Sequence, residues 1–171
     1  FMSDELDIVA LIPARMGSTR FPGKPMAKIM GKPMIGHVLE KVSQCDLLTM
    51  TAVATCDSEI YDYIESIGSK AVMTSNHHER ASDRCGEALD ILEREAGKRF
   101  SIVVMVQGDE PMVHPEMIRE VLQPMLDDSD VLVTNLLGRI SSEEEFEDPN
   151  CIKVVSDLES NALYFSREPI P

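Results

Sequence analysis

Residues 6–13 read Leu-Asp-Ile-Val-Ala-Leu-Ile-Pro, and this stretch decides the fold. Apart from Asp7, every residue of this stretch before Pro13 is apolar, and the polar–apolar alternation of a half-buried strand is absent. A short run of even hydrophobicity indicates a strand that is buried on both faces, as in a parallel sheet. We therefore predict a strand over residues 6–12 that ends at Pro13.

The rest of the chain alternates between strand-like and helix-like segments. Further strands are predicted over residues 49–55, 70–74, 101–106, 131–137, 152–156 and 162–165. Helices are predicted over residues 33–45, 81–96, 116–126 and 142–147, and between an N-cap at Asp57 and a C-cap at Gly68. This alternation predicts an α/β fold whose mostly parallel central sheet is flanked by helices. A length of 171 residues fits a single domain.

The charge of the chain is distributed unevenly. The formal net charge is −14, which disfavours nucleic acid and anionic membranes as partners. Yet residues 8–39 contain no Asp or Glu. The same window carries Arg15, Arg20, Lys24, Lys28 and Lys32. An acid-free, basic window in an acidic chain indicates that a small anion binds there, although solvated surface charges are the alternative.

Other classes of protein are excluded by simple counts. The four cysteines form no CxxC pair and match no zinc-site spacing, so they are predicted to be separate reduced thiols of a cytoplasmic protein. No apolar run approaches the length of a transmembrane helix. The acidic N-terminus lacks the basic region of a secretory signal.

Ligands of open α/β sheets bind beyond the carboxyl ends of the strands, and a glycine-rich loop follows the first strand. Residues 12–25 read Ile-Pro-Ala-Arg-Met-Gly-Ser-Thr-Arg-Phe-Pro-Gly-Lys-Pro. Glycine lets backbone N–H groups approach a phosphate closely, and Arg and Lys neutralise its charge. Five residues separate Gly17 from Gly23, and Pro25 stands where a Walker A loop needs Ser or Thr. The GxGxxG pattern is also absent, so P-loop and dinucleotide-binding proteins are disfavoured, while ordinary turn glycines remain an alternative.

A second candidate loop follows the strand predicted at residues 101–106. It reads Val-Gln-Gly-Asp-Glu-Pro over residues 106–111. Magnesium prefers one or two protein carboxylates together with substrate phosphates, so Asp109 is predicted to bind Mg²⁺. Glu110 is a weaker candidate, because neighbouring side chains of an extended segment diverge. A solvated pair of carboxylates is the alternative.

Together these segments resemble the 3-deoxy-manno-octulosonate cytidylyltransferase family. The resemblance covers residues 8–171 and rests on LIPARMGSTRFPGKP, GKPMIGHVLEK, VQGDEPM, NCIKVV and ALYFSREPIP. The first motif is shared more loosely with other sugar nucleotidyltransferases. The resemblance implies a Rossmann-like nucleotidyltransferase fold and a Mg²⁺-dependent homodimer. Such an enzyme couples CTP to an eight-carbon ulosonic acid, giving CMP-sugar and pyrophosphate for lipopolysaccharide synthesis.

The resemblance also implies roles for residues at matching positions. Ala14, Arg15 and Lys24 would hold the phosphates and nucleoside of CTP, and Asp109 would bind Mg²⁺. The anomeric hydroxyl of the sugar would attack the α-phosphorus in line. Catalysis would come from positioning and charge neutralisation, with Arg15, Lys24 and Asp109 as the catalytic residues.

The remaining implied contacts concern the base and the sugar. Gln107 would lie near the nucleotide and the sugar, and Arg167 would lie toward the acidic sugar. The cytosine would be read by residues 73–84, which include Arg84. In this segment Ala81 replaces a glycine that family members commonly carry, so the preference for base or sugar is open.

The chain also stops at Pro171, whereas the family continues through a further segment. That segment is expected to supply sugar contacts, dimer contacts and a second metal-binding Asp, so we expect a chain truncated at its C-terminus. Two alternative functions stay open. One is a transferase for another acidic sugar, such as a cytidylyltransferase for a sialic-type acid. The other is a nucleotide-binding module without catalytic activity.

Overall fold

The structure, a computed structural model, describes residues 6–17 and 21–170. The chain divides into two compact units, Phe1–Leu132 and Val133–Pro171. The single domain expected from the sequence stays a prediction. Within the described ranges, no helix is both long and apolar enough to cross a membrane.

The first unit contains the central sheet and most of the helices. Its strands are β1 (Ile8–Ala14), β2 (Lys28–Ile29), β3 (Lys32–Pro33), β4 (Met50–Thr55), β5 (Lys70–Met73) and β6 (Ile102–Met105). Its helices are α1 (Met34–Val42), α2 (Ser58–Ser66), α3 (Ala81–Ala96) and α4 (Pro115–Asp127), with a 3-10 turn at Lys24–Met26.

The central sheet has the strand order β5-β4-β1-β6, and all three pairings are parallel. This sheet confirms the predicted fold class. Strand β1 continues through Pro13, which was predicted to end it, and pairs there with Ala54 of β4. The Leu11 carbonyl accepts the Val106 N–H on the opposite side at 3.0 Å. Pro13, two residues on, faces that same side, where β6 no longer pairs, so its missing N–H removes no bond from the ladder.

Helices cover both faces of the sheet, and the side chains of β1 alternate between them. One apolar cluster joins Ile8, Ala10 and Ile12 to side chains of α1, α2 and α4. The other joins Val9 and Leu11 to Cys85, Ala88 and Leu92 of α3. Strand β1 is therefore buried on both faces, as its even hydrophobicity predicts.

Helix ends follow the sequence signals at most positions. Helix α3 has the predicted bounds and ends at Gly97, whose φ of 65° is left-handed. Asp57 occupies the predicted N-cap position of α2, but its side chain makes no capping bond. The apolar spacing of Ile60, Ile64 and Ile67 predicts that all three face the core. Ile67 is instead exposed, because the helix ends at Ser66 and Ile67 leaves helical geometry.

The second unit contains helix α5 (Glu143–Glu147) and an antiparallel hairpin of β7 (Lys153–Ser156) and β8 (Ala162–Ser166). The strand predicted over residues 131–137 is wrong, since no ladder forms there and Leu132 is 80% exposed. A run of β-branched and aliphatic residues becomes a strand only where a partner strand and a packing surface are present.

A buried lysine holds the second unit together. Lys153 is 1% exposed, and its ammonium donates to the carbonyl oxygens of Asp148, Cys151 and Arg167 at 2.6, 2.9 and 2.8 Å. All three donors of the ammonium can thus be satisfied without a counter-ion. The Arg167 guanidinium donates in turn to the Pro149 carbonyl oxygen at 2.8 Å. These bonds join the turn before β7 to the end of β8.

A small hairpin of β2 and β3, absent from the sequence prediction, precedes α1. Its two turn residues, Met30 and Gly31, have φ values of 49° and 85°. Positive φ at both positions is the type I′ turn, which favours Asn-Gly. Met30 is also 99% exposed, so no packing offsets the strain of its left-handed backbone.

Replacing Met30 by Asn is expected to raise the free energy of unfolding by about 0.5–1 kcal/mol, because Asn tolerates left-handed backbone better than Met. Urea denaturation of the full-length protein measures the change. Leu158 is equally exposed but lacks a positive φ, so Leu158→Asn is the matched control and is expected to give no gain. Equal effects of the two substitutions would contradict the assignment of strain.

Candidate active site

A cavity of about 700 Å³ lies in the first unit, beyond the carboxyl ends of β1 and β6. Three segments line it, one after β1, one around the start of α3 and one after β6. Their lining residues are Pro13, Ala14, Arg15, Gly17, Lys24, Pro25, His78, Glu79, Arg80, Ala81, Arg84, Gln107, Gly108 and Asp109. This is the edge where open α/β sheets bind their ligands.

Six of the seven side chains predicted for the site line this one cavity. They are Ala14, Arg15, Lys24, Arg84, Gln107 and Asp109. The seventh, Arg167, belongs to the second unit. Ser18, Thr19 and Arg20, which belong to the predicted anion-binding loop, lie outside the described residues. The structure thus brings the predicted residues together, and their individual roles stay predictions.

The loop after β1 is closed by a backbone bond at Gly23. The Gly23 N–H donates to the Met16 carbonyl oxygen at 2.9 Å, and Gly23 has a φ of 73°. Because this left-handed conformation is strained for other residues, a glycine is required at this position. Lys24 follows directly and starts the 3-10 turn, so the bond fixes where its side chain enters the cavity.

Asp57 holds the same loop from outside the cavity. Its carboxylate accepts the Met16 N–H at 2.8 Å, across 41 positions of sequence. Asp57 follows β4, the neighbour of β1, so the two carboxyl ends lie side by side. The sequence predicts a helix cap at Asp57 and does not predict this bond. The adjacency of the two strand ends is the signal that points to it.

Lys24 and Asp109 join the two strand-end loops through an ion pair of 2.8 Å. Both side chains are partly exposed, at 37% and 52%. An exposed ion pair contributes little to stability, so its partners can exchange readily for ligand groups. A phosphate can compete for Lys24, and a cation can compete for Asp109.

Gly108 lets the backbones of the two loops meet. A Cβ atom at this position would lie 2.7 Å from the Pro13 carbonyl oxygen and 3.3 Å from Ile35 Cδ1. No side chain fits against a backbone atom at 2.7 Å unless the loops separate. The sequence marks residues 106–111 as a site but gives no direct sign that Gly108 is a contact point.

Arg84 supports the third wall of the cavity. It is 3% exposed, and its guanidinium donates to Thr74 Oγ1 at 2.5 Å and to the carbonyl oxygens of Ser75 and His78 at 3.2 and 3.5 Å. These bonds direct several of its donors toward the segment before α3. The side chain that was predicted to contact substrate therefore also supports the wall.

The donors around the cavity suit one kind of metal site. Among residues 6–17 and 21–170, no group of three or more His, Cys, Asp or Glu side chains could hold a metal ion. Asp109 offers a half-exposed carboxylate beside the basic loop, and Glu79 lines the cavity from the segment before α3. This donor set fits Mg²⁺ bound mainly by substrate phosphates with one protein carboxylate. It does not fit a structural zinc site, which needs four protein ligands.

The parallel sheet, with its cavity at the strand ends, is that of an α/β nucleotidyltransferase. Within this class, the Cytidylyltransferase family matches residues 9–171. The chain belongs to this family.

Named relatives agree with this assignment. The 3-deoxy-manno-octulosonate cytidylyltransferase of Syntrophus aciditrophicus (strain SB) is 47% identical, over 96% of this chain and 65% of the relative. The enzyme of the same name from Geotalea uraniireducens (strain Rf4) is 45% identical, over 97% of this chain and 64% of the relative. The resemblance drawn from the sequence motifs is confirmed. The chain spans slightly less than two thirds of the length of these relatives.

Solved structures share the fold. The CMP:2-keto-3-deoxy-manno-octonic acid synthetase complexed with CTP matches with a TM-score of 0.85 and 42% identity, over 96% of this chain and 66% of that one. A 4-diphosphocytidyl-2C-methyl-D-erythritol synthase matches with a TM-score of 0.57 and 14% identity, over 80% of this chain and 65% of that one. The second likeness concerns the fold alone.

Gly108→Ala is expected to destabilise the protein by about 1–3 kcal/mol, because the added methyl group forces the two loops apart. Urea denaturation of the full-length protein measures the loss. Gly86→Ala is the control, since a Cβ at this helical position meets nothing within 4 Å. The control is expected to be neutral or stabilising. A Gly108→Ala protein as stable as the wild type would show that the loops do not need this approach.

Proposed function

We propose that the protein transfers CMP from CTP to the anomeric hydroxyl of 3-deoxy-manno-octulosonate, or of a close relative of this sugar, and releases pyrophosphate. One observation carries the proposal. The cavity brings together Arg15, Lys24, Gln107 and Asp109 in a chain that is 47% identical to a 3-deoxy-manno-octulosonate cytidylyltransferase.

The charges of the cavity suit a nucleoside triphosphate. Arg15 and Lys24 both line it, on a loop that contains no acidic residue. As the triphosphate binds, Lys24 exchanges Asp109 for phosphate oxygens, and the freed carboxylate becomes available to the accompanying cation. Charge-assisted bonds from Arg and Lys to phosphate are stronger than those between neutral groups. The ion pair thus holds the two side chains ready as ligand contacts.

Catalysis by these residues rests on position and charge. The sugar hydroxyl oxygen forms a bond to the α-phosphorus and gives up its proton to solvent, and the bond from that phosphorus to the bridging oxygen of the pyrophosphate breaks. Arg15 and Lys24 stabilise the charge on the departing pyrophosphate. Ala14 and Gln107 hold the nucleotide in line with the acceptor. Asp109 and the substrate phosphates would hold Mg²⁺, which would supply charge neutralisation and help to activate the attacking hydroxyl.

The base and the acceptor sugar are assigned to other parts of the chain. We propose that residues 73–84 read the cytosine, with Arg84 supporting this wall, and that Arg167 faces the acidic sugar. Ala81 is the first residue of α3 and lines the cavity. Family members commonly carry glycine at this position, so the methyl group of Ala81 narrows the site. Because this can change the preference for a substrate, several acceptor sugars are tested.

Further proposals rest on the same family relationship. We propose that the protein works as a cytoplasmic homodimer with Mg²⁺ as its cofactor. The family match runs from residue 9 to residue 171. We therefore also propose that one nucleotidyltransferase domain extends over the whole chain.

The first test measures pyrophosphate release by the full-length protein with CTP, Mg²⁺ and 3-deoxy-manno-octulosonate. Release is expected only when all three are present. The rate of release with CTP is expected to exceed the rates with ATP, GTP and UTP. Sialic-type acids and other ulosonic acids are compared as acceptors. If pyrophosphate is released only with a different acid, that acid is the acceptor sugar and the proposed acceptor is wrong. Binding of CTP without release with any acid would leave a non-catalytic nucleotide-binding module.

Asp109→Asn is expected to lower kcat by about two orders of magnitude, because the neutral amide is a poorer Mg²⁺ ligand than the carboxylate. Raising the Mg²⁺ concentration is expected to recover part of the loss. Glu110→Gln, which removes the neighbouring carboxylate outside the cavity lining, is the control and is expected to keep nearly full activity. Full activity of Asp109→Asn at ordinary Mg²⁺ concentration would refute the assigned role.

A further inference from the structure

The segment between β5 and α3 reaches the cavity without regular secondary structure. Residues 74–80 form turns and coil, and the last three of them, His78, Glu79 and Arg80, line the cavity. A backbone of this kind has few bonds of its own, so side chains must hold it if the wall is to keep its shape. Helix α3 supplies two such side chains, Arg84 and Glu87.

Glu87 holds two points of the segment at once. Its carboxylate accepts the Ser75 N–H at 2.8 Å and pairs with His78 Nε2 at 2.5 Å. Arg84 donates hydrogen bonds to the carbonyl oxygens of the same two residues, at 3.2 Å to Ser75 and 3.5 Å to His78. The N–H and the C=O of Ser75 are thus held by side chains of opposite charge from one helix.

The carboxylate of Glu87 is well suited to this role. The Ser75 N–H and then His78 lower the pKa of Glu87 below its ordinary value, because both stabilise the ionised form. Glu87 itself does not line the cavity, whereas His78, which it binds, does. Glu87 therefore reaches a ligand by contact only through the segment that it holds.

We propose that Glu87 is a positioning residue that preforms the cavity wall at His78, Glu79 and Arg80 for the incoming nucleotide. The proposal deepens the function proposed above and rests on CTP as the ligand. When the carboxylate is removed, the segment gains conformations that CTP must exclude on binding, so affinity falls. Once CTP is bound, the reacting groups on the other two loops are unchanged.

The test compares Glu87→Leu and Glu87→Gln with the wild type in the full-length protein. Glu95→Leu is the matched control, because Glu95 lies on the same helix and makes an exposed ion pair of 2.7 Å with Lys70, away from the cavity lining. Three quantities are measured. They are the Kd of CTP by calorimetry, kcat at saturating CTP, and the hydrogen exchange rate of the Ser75 amide.

Glu87→Leu is expected to weaken CTP binding about tenfold, which is the scale of one lost charge-assisted hydrogen bond. We expect kcat at saturating CTP to stay within about twofold of the wild type. The Ser75 amide is expected to exchange faster in this variant and unchanged in Glu95→Leu. Glu87→Gln is expected to recover part of the affinity, because its amide oxygen still accepts from Ser75 N–H.

Two results would overturn the proposal. One is an unchanged Ser75 exchange rate in Glu87→Leu, and the other is a Glu87→Gln protein that binds CTP no better than Glu87→Leu at an equal Tm. If Glu87→Leu fails to fold, the Kd of CTP and the Ser75 exchange rate are compared between Glu87→Gln and the wild type. Failure of the wild type to bind CTP would refute the proposed function instead, while the exchange rate would still test whether Glu87 holds the segment.

Discussion

Strand β1 is paired along both edges and covered on both faces, and its position fixes everything that follows it in the cavity. With β4 on one side and β6 on the other, its carboxyl end cannot shift without breaking two ladders. The loops that follow β1 and β6 start from these fixed points. Gly108 then brings the second loop against the Pro13 carbonyl oxygen, so the basic loop and Asp109 face each other over a short distance.

The cavity divides its tasks between two kinds of interaction. Partly buried hydrogen bonds to backbone atoms, from Asp57, Arg84 and Glu87, give the walls their shape. Exposed charges, such as the pair of Lys24 and Asp109, are held weakly and can turn to a ligand. This division suits the proposed transfer, which requires positioned substrates and neutralised charge.

Local patterns in the sequence were sufficient for the elements that they specify directly. Helix α3 begins and ends where predicted, because its apolar spacing and Gly97 are local signals. The even hydrophobicity around residues 6–12 identified the central strand. The segment at residues 131–137 has the same apolar character but forms no strand, since a strand also needs a partner that its own residues do not encode.

The sequence predicts the parts of the site that charged residues and glycines mark locally. It does not predict contacts between residues that lie far apart along the chain. Arg15, Lys24 and Asp109 stand in loops after strands, so their meeting followed from the topology. Asp57 has the position of a helix cap, but its bond runs to an amide 41 residues away. Glu87 belongs to an ordinary amphipathic helix, and only the folded chain shows that it reaches Ser75.

The supports of the cavity share one feature, since Asp57, Arg84 and Glu87 all contact main-chain atoms of the loops. Except for proline, which lacks the N–H, every amino acid offers the same main-chain donor and acceptor. Exposed lining residues such as Glu79 and Arg80 can therefore be exchanged by mutation while the loops keep their course. In such a scaffold the course of the loops and the preference for a substrate can evolve separately. One fold can then serve different substrates through changes in a few side chains.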